Sequence, residues 1–262
     1  MLSEAIRRRG LLFELVKRDL RSRYVGSVLG LGWHVLLPIL MIAIYAVIFS
    51  QIVRGKLEQL QEFPRLGYVL YLVSALLPWL TFHEVANRST RIFLEHANLL
   101  RKVHFPEQVL SLQVVLAGMV SLVVSVAIFT VFVIFVGRPT PWLFLLPVLM
   151  ALQMVFMTGI SLLLATLNIF LRDIAPLVTT LLWVWFWLTP IVYPLKILPE
   201  ALRLVVYLNP AYYMVETFRS VLAYGQAPAV WHLVEFAGWA AVSYVFGMLV
   251  FERLKYEIAD VV

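Results

Sequence analysis

The chain has 262 residues, of which 62% are hydrophobic and only 14% are charged, and its formal net charge is +6. Because a typical soluble domain is about 45–50% apolar and about 25% charged, this composition excludes a soluble globular protein and indicates an integral membrane protein. The positive charge is typical of cytoplasmic loops beside anionic lipid, so we expect no nucleic-acid partner.

The first predicted element is an amphipathic helix over residues 4–24. One helical stripe carries the apolar side chains Leu11, Leu12, Leu15, Val16 and Leu20. Charged residues interrupt this run, so it is not the apolar region of a secretory signal peptide. A basic amphipathic helix lies in the boundary of the inner leaflet. There it serves either as a topology anchor or as a surface on which a cytoplasmic partner docks.

Six membrane-spanning helices are predicted, because a span needs about 20 mostly apolar residues. They cover about 29–50, 67–87, 109–136, 142–170, 174–193 and 233–251. Pro38, Pro78, Pro147 and Pro190 are expected inside spans, where neighbouring helices compensate the lost hydrogen bonds. The predicted fold is therefore all-α, a polytopic membrane protein with one transmembrane domain over residues 1–262.

Basic residues in the connecting segments predict the orientation. Segments on the side of the N-terminus hold fourteen lysines and arginines, and those on the other side hold seven. Since cytoplasmic loops are enriched in basic residues, both termini are predicted in the cytoplasm. Six spans also require both ends to lie on the same side of the membrane, which agrees with this orientation.

Residues 88–107 are too polar to span and too apolar for a loose linker. Their apolar side chains include Ile92, Phe93, Leu99, Leu100 and Val103. Pro106 disfavours a helical conformation at the preceding residue, which predicts a short cytoplasmic helix that ends there. Such a helix suits insertion into a groove on another protein, and the alternative is a solvated connector.

Residues 194–232 form the longest outer connection, for which two short helices are predicted. In the second, Asn209 is the expected N-cap, Pro210 the first helical residue and Gly225 the C-terminal stop. Glu216, Arg219, Ser220 and Ala223 lie opposite Met214, Val215, Phe218 and Leu222 on this helix. We expect a re-entrant lid over a pore mouth rather than a plain loop, because long loops without a role are uncommon.

Signals of enzymatic or metal chemistry are missing from the sequence. The segment HEVAN at 83–87 lacks the second histidine of the zinc protease motif, and the five histidines never pair at ligand spacing. No Walker A motif and no cysteine occurs. Acidic residues are nearly absent from the middle of the spans, which argues against ion-driven transport. The chain therefore carries no visible catalytic centre, metal site or energy source of its own.

Four motifs follow one another along the chain. The first consists of Arg18, Asp19, Arg23, Tyr24, Ser27, Leu29, Gly30, Trp33 and Pro38. The second consists of Asn98, Lys102, Phe105 and Pro106. The others are Arg172 with Asp173, in LNIFLRDI, and Asn209, Pro210 and Arg219, in NPAYYMVETFR. Together these motifs resemble ABC-2 type permeases that export bacterial surface polysaccharides, and the resemblance covers essentially the whole chain.

The resemblance implies a permease that pairs with a second copy of itself and with two separate ATPase subunits, which bind ATP and Mg. It implies export of undecaprenyl-linked glycan, as in O-antigen exporters, from cytoplasm to periplasm through the bacterial inner membrane. Capsule and teichoic acid exporters share the plan. The remaining alternatives are an ABC-2 permease for a drug or lipid and, less favoured, a membrane enzyme acting on glycolipid.

The same resemblance implies two sets of functional residues. Contacts with the ATPase are expected from Arg18, Asp19, Arg91, Glu95, Asn98, Arg101, Lys102 and Phe105. An outer gate is expected from Tyr212, Tyr213, Glu216 and Arg219. Closure of the ATPases would push the helix at 88–107 and the N-terminal helix, opening a path between two permeases.

Aromatic side chains are concentrated in LLWVWFWLTPIVY, residues 181–193. Trp183, Phe186 and Trp187 share one helical face with Thr179, whereas Trp185 points away. A sugar ring has an apolar C–H face that can stack on such rings, so a long glycan could slide along them. We expect the channel to be lined by Tyr45, Phe49, Trp183, Phe186, Trp187 and Tyr193. The alternative is that the rings fill the core or anchor at the outer boundary.

Overall fold

The computed structural model describes residues 9–22, 26–52, 67–98 and 106–261, and within these ranges it contains helices and no strands. In chain order the helices are α1 (Arg9–Ser22), α2 (Trp33–Ile52), α3 (Gly67–Glu95), α4 (Gln108–Phe135), α5 (Leu146–Phe170), α6 (Ile174–Leu188), α7 (Glu200–Tyr207), α8 (Pro210–Leu222) and α9 (Val230–Val261). Short 3-10 segments cover Gly30–Gly32, Pro141–Leu145 and Leu195–Ile197. The predicted all-α class is confirmed.

Four helices in the described part of the chain are long and apolar enough to cross a membrane. They are Gly67–Glu95, Gln108–Phe135, Pro141–Phe170 and Val230–Ile258. These helices correspond to the second, third, fourth and last predicted spans. Helices α2 and α6 lie where the first and fifth were predicted, with shorter apolar stretches in the described residues, Val35–Ile44 and Ile174–Leu188.

Helix α6 is shorter than the sequence predicted. It ends at Leu188, and Thr189 already has an extended backbone with φ −98° and ψ 127°. Proline disfavours a helical conformation in the residue before it, so Pro190 ends the helix instead of lying inside it. The prediction that this helix continues to residue 193 with Pro190 inside it was therefore wrong.

Helix α3 is the central element of the bundle. Most of its residues are buried, and it packs against α4, α5, α6 and α8. It does not end near residue 87 but continues to Glu95, because Ile92 and Phe93 extend its buried face and Phe93 packs on Phe251. Residues 88–95 are thus the C-terminal end of α3, and residues 99–105 of the predicted coupling helix lie outside the described residues.

The crossing of α5 and α9 is very close. A Cβ atom added to Gly159 would overlap the backbone of Ser243, and one added to Gly247 would overlap the backbone of Gly159. The hydroxyl of Ser243 donates to the carbonyl of Phe156 at 2.9 Å. Small residues let membrane helices approach in this way, and hydrogen bonds across the contact add to the packing. The sequence analysis did not identify this contact.

The N-terminal helix α1 lies against the N-terminal end of α4. Its Leu12 and Leu15 are buried in the same core as Val109 and Leu110, whereas Leu11 is exposed. The turn before α2 contains Gly30, whose φ of +50° is favourable for glycine and rare for other residues. In this turn the indole of Trp33 donates to the Ser27 hydroxyl at 2.8 Å.

Candidate functional site

The aromatic side chains of α6 are divided between an open face and the core. Trp183 and Trp187 are 63% and 59% exposed. Phe186 is half-buried, and its ring centroid lies 5.9 Å from that of Trp79 on α3. Trp185 points inward and contacts both Trp79 and Phe82. The prediction from helical spacing that Trp185 points away from the other two tryptophans is therefore confirmed.

The other predicted channel residues are Tyr193, Tyr45 and Phe49. Tyr193 is partly buried, and its hydroxyl donates to the carbonyl of Trp187 at 2.5 Å, so it borders the exposed tryptophan face. Tyr45 and Phe49 belong to α2, but their side chains lie outside the described part of the structure. The structure thus brings Trp183, Phe186, Trp187 and Tyr193 together.

Asn209 joins the C-terminal end of α6 to α8. Its carbonyl oxygen accepts from the backbone N–H of Ala211 at 2.9 Å, which makes it the predicted N-cap of α8. The same oxygen accepts from the indole of Trp185 at 2.7 Å, and the amide of Asn209 donates to the Thr189 hydroxyl at 2.9 Å. One side chain therefore caps α8 and fixes the end of α6. Gly225 has the positive φ expected of a stop after α8.

Arg219 is buried, with 1% of its surface exposed. Its guanidinium forms an ion pair with Glu216 at 2.7 Å and donates to the carbonyls of Pro190 and Ile191 at 2.8 and 3.2 Å. It also stacks over the ring of Tyr71, 3.8 Å from the ring centroid. The polar face predicted for α8 is therefore internal, because the carbonyls of the turn after α6 need donors inside the protein.

The two tyrosines of the predicted outer gate are also buried. The Tyr213 hydroxyl donates to the carbonyl of Tyr207 at 2.7 Å, and the rings of Tyr212 and Tyr213 pack edge to face. Burial raises the pKa of both hydroxyls above the ordinary value. The four predicted gate residues therefore face the interior of the protein and do not form an exposed surface.

The predicted ATPase contacts divide into four groups. Asp19 on α1 forms an ion pair with Arg88 on α3, so its carboxylate is engaged within the chain. Arg18 and Asn98 are exposed. Two residues, Arg91 and Glu95, line a cavity between α3 and α6. The remaining three, Arg101, Lys102 and Phe105, lie outside the described residues.

The sequence analysis did not identify one buried residue near this cavity, Asn168. The side-chain oxygen of Asn168 accepts from the backbone N–H of Ala175 at 3.0 Å and so caps the first turn of α6. The signal that could have found it is the sequence LNIFLRDI, where an asparagine precedes a turn and the next helix. Among the described residues no group of three histidines or acidic side chains could hold a metal ion.

Comparison with known proteins agrees with this architecture. The family model described as "ABC-2 type transporter" matches residues 10–223. The chain is 30% identical over 263 residues to the O-antigen export system permease protein RfbA of Myxococcus xanthus, covering 99% of this chain and 98% of that protein. It is 29% identical over 260 residues to the O-antigen export system permease protein RfbA of Klebsiella pneumoniae, covering 96% of each.

The family match includes α1 to α8, the elements that carry both the aromatic face and the outer helices. The family and the relatives' names describe permeases, which assigns a transport function and not an enzymatic one. Four long apolar helices within the described residues agree with a multi-pass membrane protein. The chain belongs to the ABC-2 type transporter family.

Proposed function

We propose that this chain is the permease subunit of an ABC exporter that carries a lipid-linked surface polysaccharide of O-antigen type across the cytoplasmic membrane. The observation that carries the proposal is similarity over nearly the full length of both chains to O-antigen export permeases. The open tryptophan face of α6 supports it, because a polysaccharide offers many apolar ring faces to such side chains.

The proposed arrangement has six spans, with α2 and α6 crossing together with α3, α4, α5 and α9. The N-terminal amphipathic helix α1 lies in the inner boundary, α7 and α8 re-enter from the outer side, and both termini are cytoplasmic. Two copies of the permease form the conduit, and each is driven by a separate ATPase subunit that binds ATP and Mg. Family membership supports the ATPase partner.

The glycan path in this proposal follows the exposed face of α6. Trp183 and Trp187 are four residues apart on one helix, so their rings are separated by about 6 Å along the helix axis. Stacking on such rings does not depend on the linkage between sugars. A long chain can therefore move from ring to ring without a deep binding site that would trap it.

ATP hydrolysis is proposed to reach the permease at its inner end. Residues 98–105 and the exposed side of α1 would contact the ATPase, with Arg18, Asn98, Arg101, Lys102 and Phe105 as the contacts. The ion pair between Asp19 and Arg88 supports this coupling, because it ties α1 directly to the central helix α3. A displacement of α1 would therefore be transmitted to the middle of the bundle.

The proposal is tested in a strain that lacks this gene and is complemented with the wild-type chain. We expect the deletion strain to lose surface polysaccharide and to accumulate lipid-linked glycan on the inner side of the membrane, and the wild-type gene to restore export. Normal surface polysaccharide in the deletion strain would overturn the proposed substrate. Surface display is measured by gel electrophoresis of extracted glycolipid and by labelling of intact cells.

A further inference from the structure

Two neighbouring cavities open at the inner ends of α3 and α6. The first has a volume of about 330 Å³, and its polar lining comes from Asn87, Arg88, Thr90, Arg91, Glu95 and Thr179. The second has a volume of about 410 Å³ and is lined by Arg91, Glu95, Asn168 and Arg172, among others. They share Arg91, Glu95 and Ala175, so they form one continuous groove, which we call the inner groove.

The arginines of the inner groove differ in how they are paired. Arg88 is engaged by Asp19 and lies 3.8 Å from Glu84. Arg91 and Arg172 are exposed, and neither forms a hydrogen bond or an ion pair with any residue that the structure describes. Glu95 is the acidic side chain among the described lining residues. The groove therefore presents two guanidinium groups whose charge is opposed by one carboxylate.

The remaining polar wall is held in place by hydrogen bonds between helices. The Thr179 hydroxyl donates to the side-chain oxygen of Asn87 at 2.8 Å, and the amide of Asn87 donates to the carbonyl of His83 at 3.1 Å. Asn168 caps α6 from the other side, through Ala175. The spacing between α3 and α6 is therefore set before any ligand binds, and a preorganised site loses less entropy on binding.

The position of Thr179 connects the inner groove to the tryptophan face. Thr179, Trp183 and Trp187 follow one another at four-residue steps on one side of α6, and all three are exposed. Each step corresponds to about 6 Å along the helix. The groove is thus the inner end of the path that we propose for the glycan.

We propose that the inner groove binds the pyrophosphate of the lipid-linked substrate, with Arg91 and Arg172 as its main contacts. Guanidinium groups present paired N–H donors that match phosphate oxygens, and each phosphate of a pyrophosphate diester carries one negative charge. The first sugar would then lie at Thr179 and later sugars at Trp183 and Trp187, with the lipid chain in the bilayer. This inference rests on the proposed function and names the chemical group that starts the path.

The experiment uses the complete permease–ATPase complex in nanodiscs of phosphatidylcholine, with radiolabelled undecaprenyl pyrophosphate as the probe. We expect Arg91→Gln and Arg172→Gln each to weaken binding about tenfold, as for a lost hydrogen bond to a charged group. Glu95→Gln should strengthen binding, because it removes a carboxylate that repels the anion. Arg253→Gln is the matched control: Arg253 is exposed near the inner end of α9, outside the groove, and its loss should not change binding.

Competitors distinguish the possible sources of the phosphate. Undecaprenol, phosphatidylglycerol and inorganic pyrophosphate should each compete at least about tenfold more weakly than unlabelled undecaprenyl pyrophosphate. Undecaprenol lacks the pyrophosphate, inorganic pyrophosphate lacks the lipid, and phosphatidylglycerol has only one phosphate and no polyprenyl chain. Equal competition by phosphatidylglycerol would overturn the proposal in favour of a general anionic-lipid surface. Equal competition by inorganic pyrophosphate would overturn it in favour of a site for free phosphate.

Two further outcomes separate this inference from the proposed function. If Arg91→Gln and Arg172→Gln bind the probe as the wild type does, the groove assignment is wrong while export in complemented cells can still be normal. If the two variants lose the ATPase subunit on purification but keep the lipid, the groove is a docking surface for the ATPase and the inference is wrong. Failure of wild-type complementation would instead reject the proposed function itself.

Discussion

At the scale of single residues, Asn209 and Arg219 connect the end of α6 to α8 through buried polar contacts. Arg219 satisfies two carbonyls in the turn after α6, and Asn209 satisfies the buried indole of Trp185. Removing one partner of a buried polar contact leaves the other without a partner, which costs more than the contact itself contributes. Both residues should therefore be sensitive to substitution although neither faces the proposed path.

Replacing Arg219 with methionine should destabilise the protein strongly. The change leaves Glu216 without its partner, and removing one half of a buried ion pair costs about 3–5 kcal/mol. Thermal unfolding of the purified protein in detergent measures the effect. The double variant Arg219→Met with Glu216→Gln should recover part of the loss, and Arg138→Met, at an exposed arginine, should be neutral. Equal unfolding temperatures for Arg219→Met and Arg138→Met would contradict the assignment.

Replacing Asn209 with alanine should remove two stabilising contacts at once. The lost helix cap costs about 1 kcal/mol, and the unpaired indole N–H of Trp185 costs a further 1–3 kcal/mol or so. Asn209→Asp keeps the accepting oxygen for both contacts, so it should be less destabilising than the alanine variant. The same unfolding measurement compares them, and the reverse order would show that the cap and the indole contact are unimportant.

At the scale of elements, the contact of α5 with α9 depends on the absence of side chains at Gly159 and Gly247. A longer side chain at either position has no space unless the helix backbones separate. Helix α9 makes its most extensive contact at this crossing, although Phe251 also packs on Phe93 of α3, and Trp231 and His232 pack on Tyr213 of α8. Its position in the bundle therefore depends largely on the crossing with α5.

Gly247→Ala should destabilise the protein by about 1–3 kcal/mol, the usual cost of overpacking a tight contact. Gly238→Ala provides a control on the same helix, because a Cβ atom there meets nothing within 4 Å. That variant should be neutral or slightly stabilising, since alanine favours helix more than glycine does. Thermal unfolding of the two variants side by side checks the contrast, and similar behaviour would show that α9 can shift without cost.

The tryptophan face is likewise a feature of a single element, helix α6. Trp183→Ala with Trp187→Ala should lower glycan export more than it lowers assembly with the ATPase, because both side chains are exposed and support little of the core. If each ring contributes about 0.5–1.5 kcal/mol, export should fall roughly two- to tenfold per ring. Phenylalanine at both positions keeps an aromatic face and should retain export. Unchanged export by the alanine variant at normal expression would reject the stacking role.

At the scale of the whole molecule, the chain is one subunit of a transporter. Its sequence has no Walker A motif, and its family works with ATPase subunits. The purified permease should therefore hydrolyse no ATP until the ATPase subunit is added.

Charge reversal of Arg101 and Lys102 should uncouple the two subunits. Because this basic pair is expected at the ATPase contact, glutamate at both positions should reduce transport-linked hydrolysis while the chain still inserts in the membrane. The control is the same reversal of Arg253 and Lys255, which should leave hydrolysis unchanged. Hydrolysis is followed by phosphate release from the reconstituted complex. Full activity of the Arg101 and Lys102 variant would rule out their proposed role.

Much of the fold follows from patterns within the sequence. Long apolar runs predicted the helices, and the Asn209, Pro210 and Gly225 signals predicted α8 because capping and backbone preferences act within a few residues. Helical spacing also predicted that Trp185 points away from Trp183, because the direction of a side chain around a helix depends on that helix alone. The extension of α3 to Glu95 was missed, because the buried side of its last turns depends on contacts with other helices.

The contacts between distant segments could not be predicted. Arg219 was expected on an outer surface, yet its partners Pro190 and Ile191 lie 29 and 28 residues away in the chain. The inner groove likewise combines Arg91 with Arg172 from separate helices. Periodicity shows which side of a helix is polar, but it does not show whether that side meets water or the carbonyls of another segment.

The hydrogen bonds of Asn209 and Arg219 have a consequence for how the exporter could open. They attach the last turn of α6, and the turn that follows it, to the N-terminal cap and the last turn of α8. If α6 tilts to let sugars pass, α8 should move with it, because these hydrogen bonds join the two helices. Displacement of the tryptophan face of α6 and displacement of α8 would then be a single motion.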